Sequence, residues 1–263
     1  MELDKTTIDG LRQVFTNLPT WRARLSSPTP EPSNRSSLAS DDQATAPWQL
    51  SHAVVRALAG SADNLDALRS MVFTAREVYS NAPFTLIRGA IEGAATVAWL
   101  LAPKNRNERV LRQLRLQYSD YLDASKVLDS RKKNKDDDPY GMKDKMQRLQ
   151  TLAKSRGFLQ DEVSLVAARP VAYSSIVETA GGDTEVGSAL ALMSWRVCSG
   201  FAHNKAWSTL AVLDYDEVQS ATEGVLDLHV RVSDSNLLML SRVAVVMLAD
   251  GWRLYDRQRS PAY

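Results

Sequence analysis

The sequence is poor in the side chains that most enzymes use for chemistry. Its 263 residues include one cysteine and three histidines, and 32 Lys+Arg nearly balance 31 Asp+Glu, for a formal net charge of +1. A single cysteine cannot form an internal disulfide, and it excludes a zinc site built from several thiolates. The charge balance excludes nucleic-acid binding through bulk charge, although a local basic face remains open. We expect a protein of the reducing cytoplasm.

The familiar cofactor and nucleophile motifs are also missing. The chain has no GxGxxG, GxxxxGK[ST], GxSxG, HExxH or CxxC, and it lacks the paired Glu-x-x-His motifs of di-iron bundles. We therefore expect no cofactor and no metal. No signal peptide is predicted, and the two most apolar stretches, 82–102 and 237–251, are interrupted by charged residues or are too short to span a bilayer. No membrane association is expected.

Hydrophobic spacing predicts a mainly α fold, a bundle of about six helices with one small antiparallel β-hairpin before the last helix. Residues 1–24 form an amphipathic N-terminal segment, 25–47 a linker, and 48–263 the helical domain. Helices are predicted from residue 48 onward and over about 83–101, 111–128, 142–154, 187–203 and 235–257. The hairpin is placed near 207–232, with strands over 207–213 and 224–232.

The 25–47 segment is rich in proline and serine. Such a composition cannot bury enough apolar surface to offset the conformational entropy of the chain. It indicates a mobile linker or an extended surface segment. A docking or modification tail is the alternative.

The densest group of candidate catalytic residues lies near the end of the predicted 187–203 helix. Arg196 and His203 are seven residues apart, so they lie within about 20° of each other on the helix surface. Ser199 lies between them, and Asn204 and Lys205 follow. A fixed cation can bind a phosphate, and an imidazole that titrates near neutral pH can transfer a proton. This combination suits a phosphodiester substrate.

The sequence from Arg196 to His203 resembles the shared motif of the HEPN superfamily. That motif is an arginine, then four to six residues, then a histidine on a late helix. Members of that superfamily are typically helical, and many are metal-independent ribonucleases whose two motifs meet across a dimer. The resemblance implies that Arg196 contacts the scissile phosphate and that His203 acts in proton transfer. Val197 departs from the polar residue that often follows the arginine in the family.

A purely structural interpretation of the same residues is also open. Arg196 could pair with a carboxylate, and His203 could lie at the helix C-terminus, where an imidazolium is favourable. Asn204 could then end the helix.

Two further groups of charged residues are binding candidates. Arg88 and Glu92 are four apart in an otherwise apolar helix, so they either form an ion pair or line the same pocket as Arg196 and His203. Four arginines spaced by three along the next helix include Arg109 and Arg112. They could form a strip that contacts RNA phosphates, or a solvated helix face.

Together these patterns predict a HEPN-like protein that binds RNA or a nucleotide, and a homodimer is expected. Whether it is an enzyme stays open. If it is one, a metal-independent endoribonuclease is the expected activity, with Arg196, Ser199 and His203 catalytic. The alternative is a non-enzymatic helical module for dimerisation or partner binding.

Overall fold

A computed structural model describes residues 3–27, 31–129, 138, 140–158, 160–167, 171–218, 222–225 and 227–261. Within these ranges the mainly α prediction is confirmed, with more helices than the six expected. The helices are α1 Lys5–Val14, α2 Leu18–Ser26, α3 Ser37–Thr45, α4 Leu50–Ser70, α5 Ala82–Leu101, α6 Arg106–Asp129, α7 Met142–Ser155, α8 Gln160–Val166, α9 Tyr173–Gly182, α10 Ser188–Ala202, α11 Ala206–Val212 and α12 Asp234–Arg259. A π-helical turn, Met71–Ala75, continues α4.

Helix α5 lies at the centre of the main core and packs against α4, α9, α10 and α12. Its small residues allow this crowding: a Cβ added to Gly93 would lie 2.6 Å from the Ala57 carbonyl oxygen of α4. By length and composition α5 could cross a membrane, but most of it is buried in the protein. A second, smaller core joins α3, α6, α7 and α8 around Leu114 and Leu149.

The prediction of a linker over 25–47 is wrong for the part that forms α3. The Ser36 hydroxyl caps this helix by accepting a hydrogen bond from the Ala39 N–H at 3.1 Å. Leu38 is fully buried in the main core, and Asp41 is buried against α6. Residues 28–30 of the segment lie outside the described residues. The polar composition of the segment therefore hid a helix that buries Leu38, Asp41, Ala44 and Thr45.

The hairpin is confirmed, but its first strand is not where the sequence predicted it. Strands β1 (Asp214–Val218) and β2 (Asp227–Arg231) pair antiparallel, with Asp214 opposite Arg231. Residues 207–213, predicted as a strand, instead belong mostly to α11. A tight turn at the end of α10 starts this helix, and Ser208 and Val212 are its buried positions.

Candidate functional site

The C-terminal end of α10 is fixed against the beginning of α5. The rings of Phe84 and Phe201 stack with their centroids 4.2 Å apart. The Asn81 side-chain amide donates a hydrogen bond to the Phe201 carbonyl oxygen at 3.3 Å. The residues around His203 are therefore held on a buried aromatic anchor.

A Schellman turn ends α10. The Lys205 N–H donates to the Gly200 carbonyl at 2.9 Å, and the Asn204 N–H donates to the Phe201 carbonyl at 3.0 Å. Asn204 has a φ of 51°, the left-handed conformation that this motif requires and that asparagine tolerates. The interpretation that Asn204 ends the helix is confirmed, and His203 occupies the C-cap position.

The structure brings Arg196 and His203 to the solvent-exposed surface of α10. Both side chains are exposed, Ser199 is half-buried, and Asn204 and Lys205 are exposed beside them. Within the described part of the chain, neither Arg196 nor His203 has an ion pair or a side-chain hydrogen bond, so the predicted pairing of Arg196 with a carboxylate is not found. Both groups are available to a ligand.

The opposite face of α10 is buried. Cys198 lies about 160° around the helix from Arg196 and is fully enclosed. Burial raises the pKa of the Cys198 thiol to about 12, and nearby Arg88 only partly offsets this rise. The thiol is therefore protonated at neutral pH and serves as a core residue.

Helix α11 folds back over the exposed side of α10 at Gly200. A Cβ added to Gly200 would lie 2.6 Å from the Ser208 Cβ and 2.9 Å from the Trp207 Cζ2. The Trp207 indole therefore lies against α10 at Gly200, one turn after Arg196 in the helix, and the residue is 50% exposed. Sequence reasoning missed Trp207 because it assigned this stretch to a strand. An aromatic residue two positions after Lys205 was the signal that could have indicated it.

Arg88 and Glu92 form the predicted structural ion pair, with Arg88 Nε 2.9 Å from Glu92 Oε1. The Trp195 indole N–H of α10 donates to the same oxygen at 2.8 Å. Glu92 also lines a cavity of about 310 Å³ together with Tyr173. Burial, and then the Glu92 and Asp120 carboxylates, raise the pKa of Tyr173. Arg196 and His203 do not line this cavity, so the shared-pocket hypothesis is wrong.

Arg109 and Arg112 do not form an RNA-binding strip. Arg109 is 4% exposed, and its Nε and Nη2 donate to the Asp41 carboxylate at 2.7 and 3.2 Å. Its Nη1 donates to the Pro103 carbonyl at 2.8 Å. Arg112 donates to the Trp99 carbonyl and lies over the Trp99 ring, with its Cζ 5.1 Å from the ring centroid. These contacts use the guanidinium groups to join α6 to α3 and α5, so the predicted binding role is wrong.

A cavity of about 620 Å³ lies between α3, α4 and α12, and His52 and Arg56 are among its lining residues. None of the predicted site residues lines it. Across the described residues, no group of three or more His, Cys, Asp or Glu side chains is arranged to hold a metal ion.

No family model, curated protein or solved structure matches the chain.

Proposed function

We propose that the exposed surface of Arg196, Ser199, His203 and Lys205 binds RNA and cleaves it without a metal. The observation that carries this proposal is that Arg196 and His203 are solvent-exposed on one face of α10 and have no ion pair among the residues that the structure describes. An arginine that forms no ion pair has its guanidinium donors available for a phosphate. The Schellman turn and the Phe84–Phe201 stack hold the backbone beneath these groups.

In the proposed complex both groups act on one RNA strand. His203 lies seven residues, or about 10.5 Å of helix rise, beyond Arg196, so the strand must lie along α10 to contact both side chains. Ser199 offers a hydroxyl between them, Lys205 supplies a second cation, and the Asn204 amide can donate to a phosphate or a sugar. The arrangement supplies charge neutralisation and one general base.

In the proposed reaction, Arg196 neutralises the phosphate while neutral His203 accepts the proton of the adjacent ribose 2′-hydroxyl. The 2′ oxygen attacks phosphorus, and the bond from phosphorus to the 5′ oxygen breaks. The leaving oxygen takes a proton from solvent. The products are a 2′,3′-cyclic phosphate and a free 5′-hydroxyl, and the histidine returns to its neutral form by releasing its proton.

We also propose that two copies of the protein associate through this side of α10, in the cytoplasm. Leu190 and Met193 precede Arg196 at steps of three, and both are exposed. Apolar side chains exposed in a row beside charged residues are typical of protein interfaces. A second copy would bring a second Arg196 and His203 to the same surface.

The test compares wild type with His203→Ala on a synthetic RNA in EDTA. We expect wild type to release products with a 2′,3′-cyclic phosphate, and His203→Ala to be slower by about 10²- to 10⁴-fold, the usual contribution of a general base. His229→Ala is the matched control, because His229 is an exposed histidine on β2. It should cleave like wild type. Equal background activity in all three proteins would refute the enzymatic proposal.

The second candidate function is a non-enzymatic dimerisation module, which the exposed Leu190 and Met193 favour. It predicts a dimer in analytical ultracentrifugation that Met193→Ser converts to a monomer, together with no cleavage by any variant. A monomeric wild-type protein would eliminate this candidate.

A further inference from the structure

We infer that Trp207 stacks on an unpaired base of the bound strand, so that the Arg196–His203 surface takes single-stranded RNA. This inference rests on the proposed function, because it names the substrate class of that same surface. It adds Trp207, which lies outside the Arg196–His203 motif, to the proposed binding surface.

The position of the indole comes from the helix geometry. Gly200 lies at about 40° from Arg196 around α10, and His203 lies at about 20° on the other side. The Trp207 ring therefore lies on the same side of α10 as the two candidate catalytic residues, at a position along the helix axis between them. A phosphate held by Arg196 and His203 brings the base of the same or the next nucleotide beside this ring.

Trp207 differs from every other tryptophan in the chain. Trp21, Trp99 and Trp252 are buried, while Trp48 and Trp195 are half-buried and donate their indole N–H groups to Tyr121 and Glu92. Trp207 is half exposed and forms no hydrogen bond or ring stack with any residue that the structure describes. Half of a large apolar ring is thus exposed to solvent on the side of α10 that carries Arg196 and His203.

Cations beside an exposed aromatic ring are the usual means of binding single-stranded nucleic acid. The cations contact the phosphates along the strand, and the ring stacks on the bases whatever their sequence. In a duplex the bases are already paired and stacked on one another, so the ring has no base face to cover. The surface should therefore prefer unpaired strands without strong sequence preference.

The experiment measures binding of three fluorescein-labelled probes of equal length by anisotropy. The probes are a 2′-O-methyl single strand, which cannot be cleaved by 2′-oxygen attack, the same strand in a duplex, and an abasic strand with the same number of phosphates. We expect wild type to bind the single strand about tenfold more tightly than the abasic strand. Trp207→Ala should bind both equally, and Trp207→Phe should keep most of the difference.

Leu210→Ala is the matched control. Leu210 lies one turn after Trp207 on α11 and is 51% exposed, so its loss removes similar apolar surface without an aromatic ring. It should bind all three probes like wild type. Far-UV circular dichroism and the thermal midpoint of each variant show whether it is folded.

Each outcome separates the inference from the proposed function. Equal binding of the single and abasic strands by wild type would overturn the stacking inference and leave cleavage by His203 standing. Absence of binding to any probe would overturn both. If Trp207→Ala and Leu210→Ala both convert a dimer to a monomer and neither changes probe preference, the ring belongs to a protein interface and the inference fails.

Discussion

The arginines of α6 and Arg196 of α10 have opposite surroundings, although both lie on helices and both were candidates for phosphate binding. Arg109 is enclosed by the Asp41 carboxylate and the Pro103 carbonyl. Arg196 is exposed, with no ion pair in the described residues. The difference lies in the acceptors that the fold brings near each helix. An arginine is a useful functional candidate only where the protein itself leaves its donors unsatisfied.

The largest expected effect is on stability, at Arg109. Arg109→Ala removes the partner of a fully buried carboxylate, so we expect the free energy of unfolding to fall by about 3–5 kcal/mol. Urea denaturation at neutral pH measures this loss. Arg106→Ala is the control, because Arg106 is 49% exposed and lies 3.7 Å from the same carboxylate. It should cost less than about 1 kcal/mol.

The same variant has a predicted pH dependence. Burial raises the pKa of Asp41 above 3.8, and Arg109 partly offsets this rise, so removal of Arg109 raises the pKa further. A carboxyl with a raised folded-state pKa loses stability as pH increases from its unfolded value through its folded one. The cost of Arg109→Ala should therefore be small near about pH 4 and grow toward neutrality. A constant cost across that range would show that removal of Arg109 leaves the pKa of Asp41 unchanged.

A smaller loss of stability is expected at Arg112. Its side chain is 15% exposed, donates to the Trp99 carbonyl at the end of α5 and pairs with Glu108. Arg112→Ala should lower the free energy of unfolding by about 1.5–3 kcal/mol, the usual range for a hydrogen bond from a charged group. Urea denaturation is again the measurement. RNA affinity that fell while stability stayed unchanged would restore Arg112 as a binding residue.

The smallest effect on stability is expected at Arg196. Arg196→Ala should change the free energy of unfolding by less than about 0.5 kcal/mol, because it breaks no contact within the described chain. It should still weaken RNA binding and reduce the slope of log affinity against log salt by about 0.7, the value for one phosphate contact on a single strand. A stability loss as large as that of Arg109→Ala would remove the contrast between the two helices.

The sequence predicted the long helices well because their apolar positions repeat at helical spacing. Helices α5, α7, α10 and α12 lie close to their predicted ranges. It failed at α3, whose burial depends on the pairing of Asp41 with Arg109, 68 residues away. No local pattern shows such a contact. It failed again at α11, where tertiary packing of Ser208 and Val212 overrides the β propensity of Trp207, Thr209 and Val212.

For the candidate site, the sequence supplied Arg196, Ser199 and His203 through their spacing, and Asn204 as the helix stop. It could not show which arginines are enclosed, because exposure depends on the whole fold. Arg109 and Arg112 were therefore grouped with Arg196. It also could not place Trp207 against Gly200, since that contact requires α11 to turn back across α10.

The close contact between α10 and α11 requires glycine at position 200, because a Cβ there would lie 2.6 Å from the Ser208 Cβ. The nearest obstacle to a side chain there is the Ser208 Cβ, which is attached directly to the α11 backbone. Rotation of a flexible side chain cannot relieve such a clash, so even a methyl group would have to displace α11 as a unit. The position of the Trp207 ring on α10 is therefore set by the size of residue 200, and Gly200→Ala would shift the ring while every side chain of the proposed RNA-binding surface keeps its chemistry.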